Sequence, residues 1–206
     1  MNIAESRIIQ RADDHLHELA GVTIPADWWS RPYEYAFAIQ HAAPDQVVAD
    51  MGCGWMPRPF KDALSAVCEK VYAIDADPRL LGQPKRFNME FIVADFAGRI
   101  ASLPDESLDR VFCVSVLEDL QNPIPALTEF ARVLKPDGLI VITCDIPWRP
   151  ELPTPTYPGI NPEKLLGALA MAGLEFVDGC DLSGREEAVR HETWNLCVLR
   201  CLLKKR

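Results

Sequence analysis

The sequence predicts an α/β fold, doubly wound about a mostly parallel sheet. An apolar run, Val47-Val48-Ala49-Asp50-Met51, breaks at Gly52-Cys53-Gly54 and passes Trp55, Met56 and Pro57 into a helix-like segment from Phe60 to Cys68. A second run, Val71 to Ile74, ends in Asp75, 25 residues after Asp50. Further apolar strands at 90–94, 110–115 and 139–144 then alternate with helical or turn segments. That alternation is the pattern of parallel strands joined by crossovers.

The first strand is rich in Val and Ala on both faces, as expected where helices cover both sides of a sheet. A strand, a glycine turn and a helix N-terminus let bare backbone approach a ligand, although a tight turn with no ligand has the same signature. Asp75 adds discrimination. In nucleotide folds an acid about 20 residues beyond the glycine loop accepts hydrogen bonds from ribose hydroxyls. Asp75 or Asp77 alternatively caps the turn at Pro78.

These residues carry a resemblance. Asp50-Met51-Gly52-Cys53-Gly54, Asp75, Ala94-Asp95-Phe96 and Leu134-Lys135-Pro136-Asp137-Gly138, in this order and spacing, resemble the motifs of class I S-adenosylmethionine-dependent methyltransferases of the methyltransferase type 11-like kind. The similarity runs from about residue 31 to the end of the chain. It implies a Rossmann-like, seven-stranded sheet with an antiparallel last strand and S-adenosyl-L-methionine as cofactor. By match, Gly52 and Gly54 face the methionine part, with Asp50 and Cys53 in the same loop; Asp75, beside Ala76, holds the ribose. Asp95 meets the adenine, Phe96 lies against its ring, and Ser115 ends strand four at the site. Two positions depart from the family pattern. Met56 stands where a third glycine is usual, and Asp137 replaces a glycine in the turn that Gly138 completes, where a positive φ is expected.

Before this core, apolar residues Ile8, Ile9, Ala12, Leu16 and Leu19 predict a helix from about Ala4 to Ala20, stopped by Gly21, with His15 and His17 on its solvated face. A connector with Trp28 and Trp29 leads to a second helix from Pro32 to Ala42. The stretch Ser30 to Tyr35 resembles an element that folds over the cofactor in some methyltransferases. Arg31 there either pairs with the cofactor's carboxylate, which guanidinium binds bidentately, or forms an internal ion pair with Glu34.

Strand four ends in Ser115-Val116-Leu117-Glu118-Asp119. Ligands of open α/β sheets lie beyond the carboxyl ends of the strands, so Glu118 and Asp119 are candidate catalytic acids; alternatively they are charges at the start of the helix that runs to Leu134. After strand five, prolines 147, 150, 153, 155, 158 and 162 preclude a helix and predict a wall over the acceptor. Trp148 and Tyr157 in it, with Tyr33 and Tyr35, are the candidate substrate-binding residues. Asn161-Pro162 starts a helix stopped by Gly173, strand six begins at Leu174, and Thr193 to Lys204 is the final strand.

With 206 residues the expectation is one domain, an N-terminal helical cap over 1–44 and a core over 45–206. The formal charge of −9 argues against a nucleic-acid partner, and no run reaches the ~20 apolar residues of a membrane span. Seven cysteines without a C-x-x-C pair read as reduced thiols, with no metal site, in a cytoplasmic protein, monomer or homodimer. The function expected is methyl transfer to oxygen or nitrogen of a small molecule. A nicotinamide-dependent oxidoreductase and a non-catalytic methyltransferase-like scaffold are the alternatives.

Overall fold

The structure, a computed structural model, describes residues 5–55, 59–152 and 159–206. In chain order the strands are β1 (Ser6–Ile8), β2 (Glu18–Leu19), β3 (Val22–Thr23), β4 (Val47–Met51), β5 (Lys70–Asp75), β6 (Met89–Val93), β7 (Leu108–Val114), β8 (Leu134–Pro147), β9 (Leu174–Phe176), β10 (Cys180–Asp181), β11 (Arg190–His191) and β12 (Leu196–Lys205). The helices are α1 (Arg31–Ile39), α2 (Pro59–Val67), α3 (Ile124–Val133) and α4 (Pro162–Met171).

The main sheet runs β10-β1-β12-β8-β7-β4-β5-β6, with β9 and β11 also paired to β12. From β6 to β8 every neighbour is parallel; β12 lies antiparallel along β8 from Leu196↔Pro147 to Leu203↔Ile140. The spine β6-β5-β4-β7-β8-β12-β9 is the seven-stranded doubly wound sheet with an antiparallel last strand that the family resemblance implies.

Alternation along the strands divides the core between two faces. Val48, Val71, Ala73, Phe112 and Val141 pack with Tyr35 and Phe37 of α1 and Phe60 and Leu64 of α2. Ala49, Ile74, Val111, Ile140 and Ile142 pack with Leu127 and Phe130 of α3 and Leu165 and Leu169 of α4. Helix α4 is capped as expected, the Asn161 side chain accepting from the Glu163 and Lys164 N–H groups at 2.8 and 3.1 Å. Gly173 follows it at φ +71°.

Three expectations are corrected. The predicted helix from Ala4 to Ala20 is absent over the described residues. Ser6–Ile8 is instead a strand, antiparallel to β12 at Arg7↔Arg200, and Glu18–Leu19 starts a small hairpin with Val22–Thr23. Ile8 and Ile9 are buried side by side, a pattern that an inserted strand satisfies by feeding two clusters and that a solvated helix would not need. The N-terminal part thus contributes one helix, α1, and a strand of the sheet itself. Secondly, Gly138 has no positive φ; a side chain there would meet Leu134 at 2.7 Å, so glycine serves close packing. Thirdly, Glu118 and Asp119 are not helix-start charges of α3, which begins at Ile124; they sit on a separate short 3-10 turn, Leu117–Asp119. Met56 and Pro57, and Pro153 to Pro158 with Tyr157, lie outside the described residues.

Candidate active site

The chain winds β4, β5, β6 to one side, then returns to lay β7 on the other side of β4. At that reversal the loops after β4 and β7 diverge and leave a crevice beyond the carboxyl ends. A cavity of about 790 Å³ occupies it, bordered by Gly52, Gly54, Asp75, Ala76, Phe96 and Ser115 and by Arg31, Glu118 and Asp119. Nine positions singled out in the sequence therefore meet at one site.

The glycine loop is held by its own backbone. Gly52 and Cys53 N–H both donate to the Ile74 carbonyl, at 2.8 and 3.1 Å. Gly54 N–H donates to Asp75 Oδ2 at 2.8 Å, and Asp77 N–H to Asp75 Oδ1 at 2.9 Å. Asp75 is thus a clamp on the loop as well as a cavity carboxylate. Two bonds leave it acceptor capacity, because an ionised carboxylate offers about four lone-pair sites. Capping falls to Asp77, which accepts from Arg79 N–H at 2.9 Å. Arg79 also lies over the Trp55 ring, 3.7 Å from its centroid, and fixes that wall of the cavity.

Gly52 is at φ +78°, and a Cβ there would stand 2.5 Å from Val116 Cγ2. Phe96 is buried against Phe130, with centroids 5.8 Å apart, and presents an apolar wall. Asp95 is exposed, accepts from Ala97 N–H at 2.9 Å, and does not border the cavity. Asp50 and Cys53 are buried beneath the loop, also off the cavity wall. Burial, then Asp50 and Asp75, push the Cys53 thiol far up, so it behaves as a small hydrophobe.

Beneath the other end lies a charged network that only the fold assembles. Arg31 donates to Glu34 Oε1 at 2.7 Å, while Ser115 Oγ (2.5 Å) and the Thr143 hydroxyl donate to Glu34 Oε2. Burial alone would raise the Glu34 carboxyl, but Arg31 and these hydroxyls hold it below the ordinary range. Of the two readings of Arg31, the ion pair with Glu34 is the one seen; the residue also borders the cavity, with only one of its five N–H donors spent on Glu34. Ser115 takes φ +47° and donates its N–H to Thr143 O at 2.9 Å, which turns its hydroxyl toward Glu34.

Two more carboxylates are poised oppositely. Burial, followed by Asp145, raises Glu118 well above the usual range. Burial, followed by Glu34, raises Asp145 to about 7 against the pull of Arg31. Glu118 Oε2 and Asp145 Oδ1 are sealed from solvent and have no hydrogen-bond partner among the described residues. The sequence reading missed Asp145, Asp27 and the tryptophans that border the cavity, Trp28, Trp29, Trp55 and Trp194. Asp145 had a usable signal, since it ends an apolar strand on the same edge as Asp75 and Ser115. Trp194 had none: it arrives through the turn before β12 and stacks on His191 at 4.0 Å, while Trp29 meets His191 edge-on at 5.8 Å.

The aromatic residues proposed for the acceptor are elsewhere. Tyr35 is 2% exposed and stacks on Phe60 at 5.3 Å in the core. Tyr33 packs with Ile9, Val189 and Val198 and borders a separate hollow of about 230 Å³. Residues two apart on a helix do not share a face, so Arg31 and Tyr33 cannot both meet the cavity. Trp148 donates Nε1–H to Arg185 O at 2.8 Å and carries Arg149 and Arg190 over its ring, each 4.3 Å from the centroid. It stands three residues beyond Asp145 on one strand path, where alternation turns it to the other face.

The raised carboxyl of Asp145 predicts a measurable pH dependence. The folded chain binds that proton more tightly than the unfolded chain between the ordinary 3.8 and about 7, so folding stability falls as pH rises through this window. Asp145→Asn removes the penalty. Denaturant titrations should find the variant equal to the parent below about pH 4 and more stable by about 1–3 kcal/mol at about pH 8. A variant less stable than the parent at the higher pH would show that the carboxylate has a partner there.

The strand order β6-β5-β4-β7-β8-β12-β9, with a glycine loop after β4 at the reversal, is that of a Rossmann-like methyltransferase fold. Comparison with known proteins agrees. The Methyltransferase domain family matches residues 49–142. A probable S-adenosylmethionine-dependent methyltransferase of Mycobacterium tuberculosis is 29% identical over 167 residues, 76% of this chain and 59% of its own. A ubiquinone biosynthesis O-methyltransferase of Xanthomonas campestris is 26% identical over 147 residues, 68% of this chain and 54% of its own. The chain thus spans under two thirds of these relatives' length. Among solved structures, the [4+2]-cyclase SpnF superposes with a TM-score of 0.70 at 16% identity, covering 96% of this chain and 87% of SpnF. The 1,6-didemethyltoxoflavin N1-methyltransferase of Burkholderia thailandensis, solved with S-adenosylhomocysteine, gives 0.62 at 18% identity, covering 87% and 79%. Over residues 49–142 the chain is thus similar to the Methyltransferase domain family, and its curated and structural relatives are S-adenosylmethionine-dependent methyltransferases or share their fold. Among the described residues no helix is long and apolar enough to cross a membrane.

Proposed function

We propose that this chain transfers a methyl group from S-adenosyl-L-methionine to a small-molecule acceptor held in the cavity at the reversal of the sheet. The observation that carries this reading is the clamp of Gly54 N–H on Asp75 Oδ2 at the cavity wall, which joins the methionine and ribose positions in one rigid unit. Gly52 and Gly54 present backbone to the amino-acid part, the free lone pairs of Asp75 accept from the ribose, and Phe96 lies against the base. Arg31 takes the carboxylate with its spare N–H donors. The cofactor supplies a methyl group already activated by its sulfonium.

The protein's contribution is then alignment and exclusion of water, and positioning alone can lower a barrier by about 7–11 kcal/mol. Glu34 holds Arg31, Ser115 and Thr143 in register. Asp145, raised by burial to about 7, stands ready to accept a proton if the acceptor must lose one, and Glu118, also raised by burial and by Asp145, stands beside it. The expected Glu118–Asp119 acids therefore remain candidates, with Asp145 added and Asp119 exposed at the rim.

Asp75→Ala tests the donor half. Each hydrogen bond to a charged group is worth about 1.5–3 kcal/mol, so S-adenosylhomocysteine affinity should fall roughly tenfold to several hundredfold in isothermal titration. Asp75→Asn should fall between the parent and Ala, because its carbonyl still accepts from Gly54. Unchanged affinity in Asp75→Ala would remove Asp75 from the donor site.

A further inference from the structure

The acceptor half of the cavity has a chemical sign. Glu118, Asp119 and Asp145 border it together with Asp27, and the neighbouring guanidinium, Arg31, is already paired to the fully buried Glu34. Two of these cavity-bordering carboxylates carry an oxygen with no hydrogen-bond partner among the described residues, Glu118 Oε2 and Asp145 Oδ1. A buried acceptor without a donor is costly, by about 1–3 kcal/mol for an ordinary group and more for a charged one, and a ligand donor met by the carboxylate as it turns toward the cavity removes the cost. Tryptophan rings, Trp28, Trp29 and Trp194, make the apolar part of the wall. Aromatic faces beside carboxylates favour cations and reject anions.

We infer that the acceptor is a basic nitrogen compound, an amine or amidine on an aromatic or apolar frame, seated with its N–H donors on Glu118 and Asp145. This rests on the methyl-donor reading of the same site. An anionic acceptor, a phosphate or carboxylate, would meet these acids with the cation among the described lining residues, Arg31, already shared between Glu34 and the donor's carboxylate. The amine, bound as its cation, first passes a proton to the Asp145 carboxylate. The lone pair so freed forms the new N–C bond as the donor's S–C bond breaks with its electron pair left on sulfur, and the product leaves as the N-methyl ammonium, so charge and atoms balance.

Three probes with one ring and different charge test this: tryptamine, indole-3-propanol and indole-3-propionate, each titrated calorimetrically into protein saturated with S-adenosylhomocysteine. Tryptamine should bind at least about tenfold tighter than the alcohol, and the acid more weakly than either. In Glu118→Gln and in Asp145→Asn the preference for tryptamine should shrink by about tenfold while S-adenosylhomocysteine affinity stays within about twofold, which also reports that each variant is folded. Equal or tighter binding of the acid, no measurable tryptamine binding, or an unchanged preference in both variants would overturn the inference and leave the donor reading standing. Failure of S-adenosylhomocysteine to bind the parent protein would instead remove the donor reading; the same three probes on the protein alone then still read the charge preference.

Discussion

Gly52→Ala should weaken S-adenosylhomocysteine binding by about tenfold or more while a second glycine-to-alanine change elsewhere leaves it intact. Two independent constraints meet at Gly52. Its φ of +78° lies in the left-handed region, where a side chain costs about 1–2 kcal/mol. Its Cβ would also stand 2.5 and 2.8 Å from the two methyl groups of Val116. Val116 borders the cavity, so the side chain that must give way moves into the space the cofactor needs. The combined effect is about 2–4 kcal/mol, spread between fold and affinity, so the binding isotherm should weaken by tenfold or more. Gly167 is the control. It lies inside α4 with nothing within 4 Å of a built Cβ, so Gly167→Ala should stabilise the chain by about 0.5–1 kcal/mol and leave binding unchanged. Equal affinities in the two variants would mean that the loop adapts and that the backbone at Gly52 is not part of the donor site.

The second large effect is on stability. Glu34→Ala should cost about 3–5 kcal/mol, because it strands the largely buried Arg31 cation and removes the acceptor of two hydroxyls at once. Thermal unfolding should register a drop of about 6–20 °C for a chain of this size. Glu34→Gln keeps an acceptor for Ser115 and Thr143 and should lose less. Its sign with pH is opposite to that of Asp145. The Glu34 carboxyl is lowered in the folded chain, so its stabilisation is present above the ordinary value of 4.5 and disappears as pH falls through the lowered one. The charge of Glu34 also raises both Glu118 and Asp145, whereas Arg31 lowers them. Removing Glu34 should therefore move the acid limb of any activity profile to lower pH. A Glu34→Ala protein that unfolds at the parent temperature would mean that Arg31 finds another partner.

How much of this was legible in the sequence differs between the two halves of the site. The donor half was written in local order. Gly52 and Gly54 are required where the chain turns through a positive φ, and Asp75 closes the next strand at a spacing fixed by one helix and one crossover. Such features are set by backbone conformation over a few residues, and residue type reports them directly. The last antiparallel strand was legible for the same reason, as a long apolar run after a short connection.

The acceptor half was not. Arg31, Glu34, Ser115, Thr143 and Asp145 come from α1, β7 and β8 and meet only because β7 and β8 lie side by side with α1 across their ends. The Arg31–Glu34 pair, three residues apart on α1, was open to the sequence, but no spacing encodes its meeting with Ser115, Thr143 and Asp145, and Tyr33, Tyr35 and Trp148 were misplaced because side-chain direction on α1 and at the end of β8 follows register that composition does not reveal. The N-terminal segment failed differently. Ile8 and Ile9 carry apolar character that suits a helix stripe as well as a strand, and a partner 190 or so residues away along the chain, Val198 to Arg200 in β12, made the choice. By itself the sequence determined the alternation of strands and helices and the place of the glycine loop and Asp75, through local backbone demands; the layout of the sheet came with the family resemblance. Tertiary structure alone decided the charge of the acceptor pocket, because burial and long-range neighbours, rather than the identity of any acid, hold Glu34 ionised and raise Glu118 and Asp145 toward the proton.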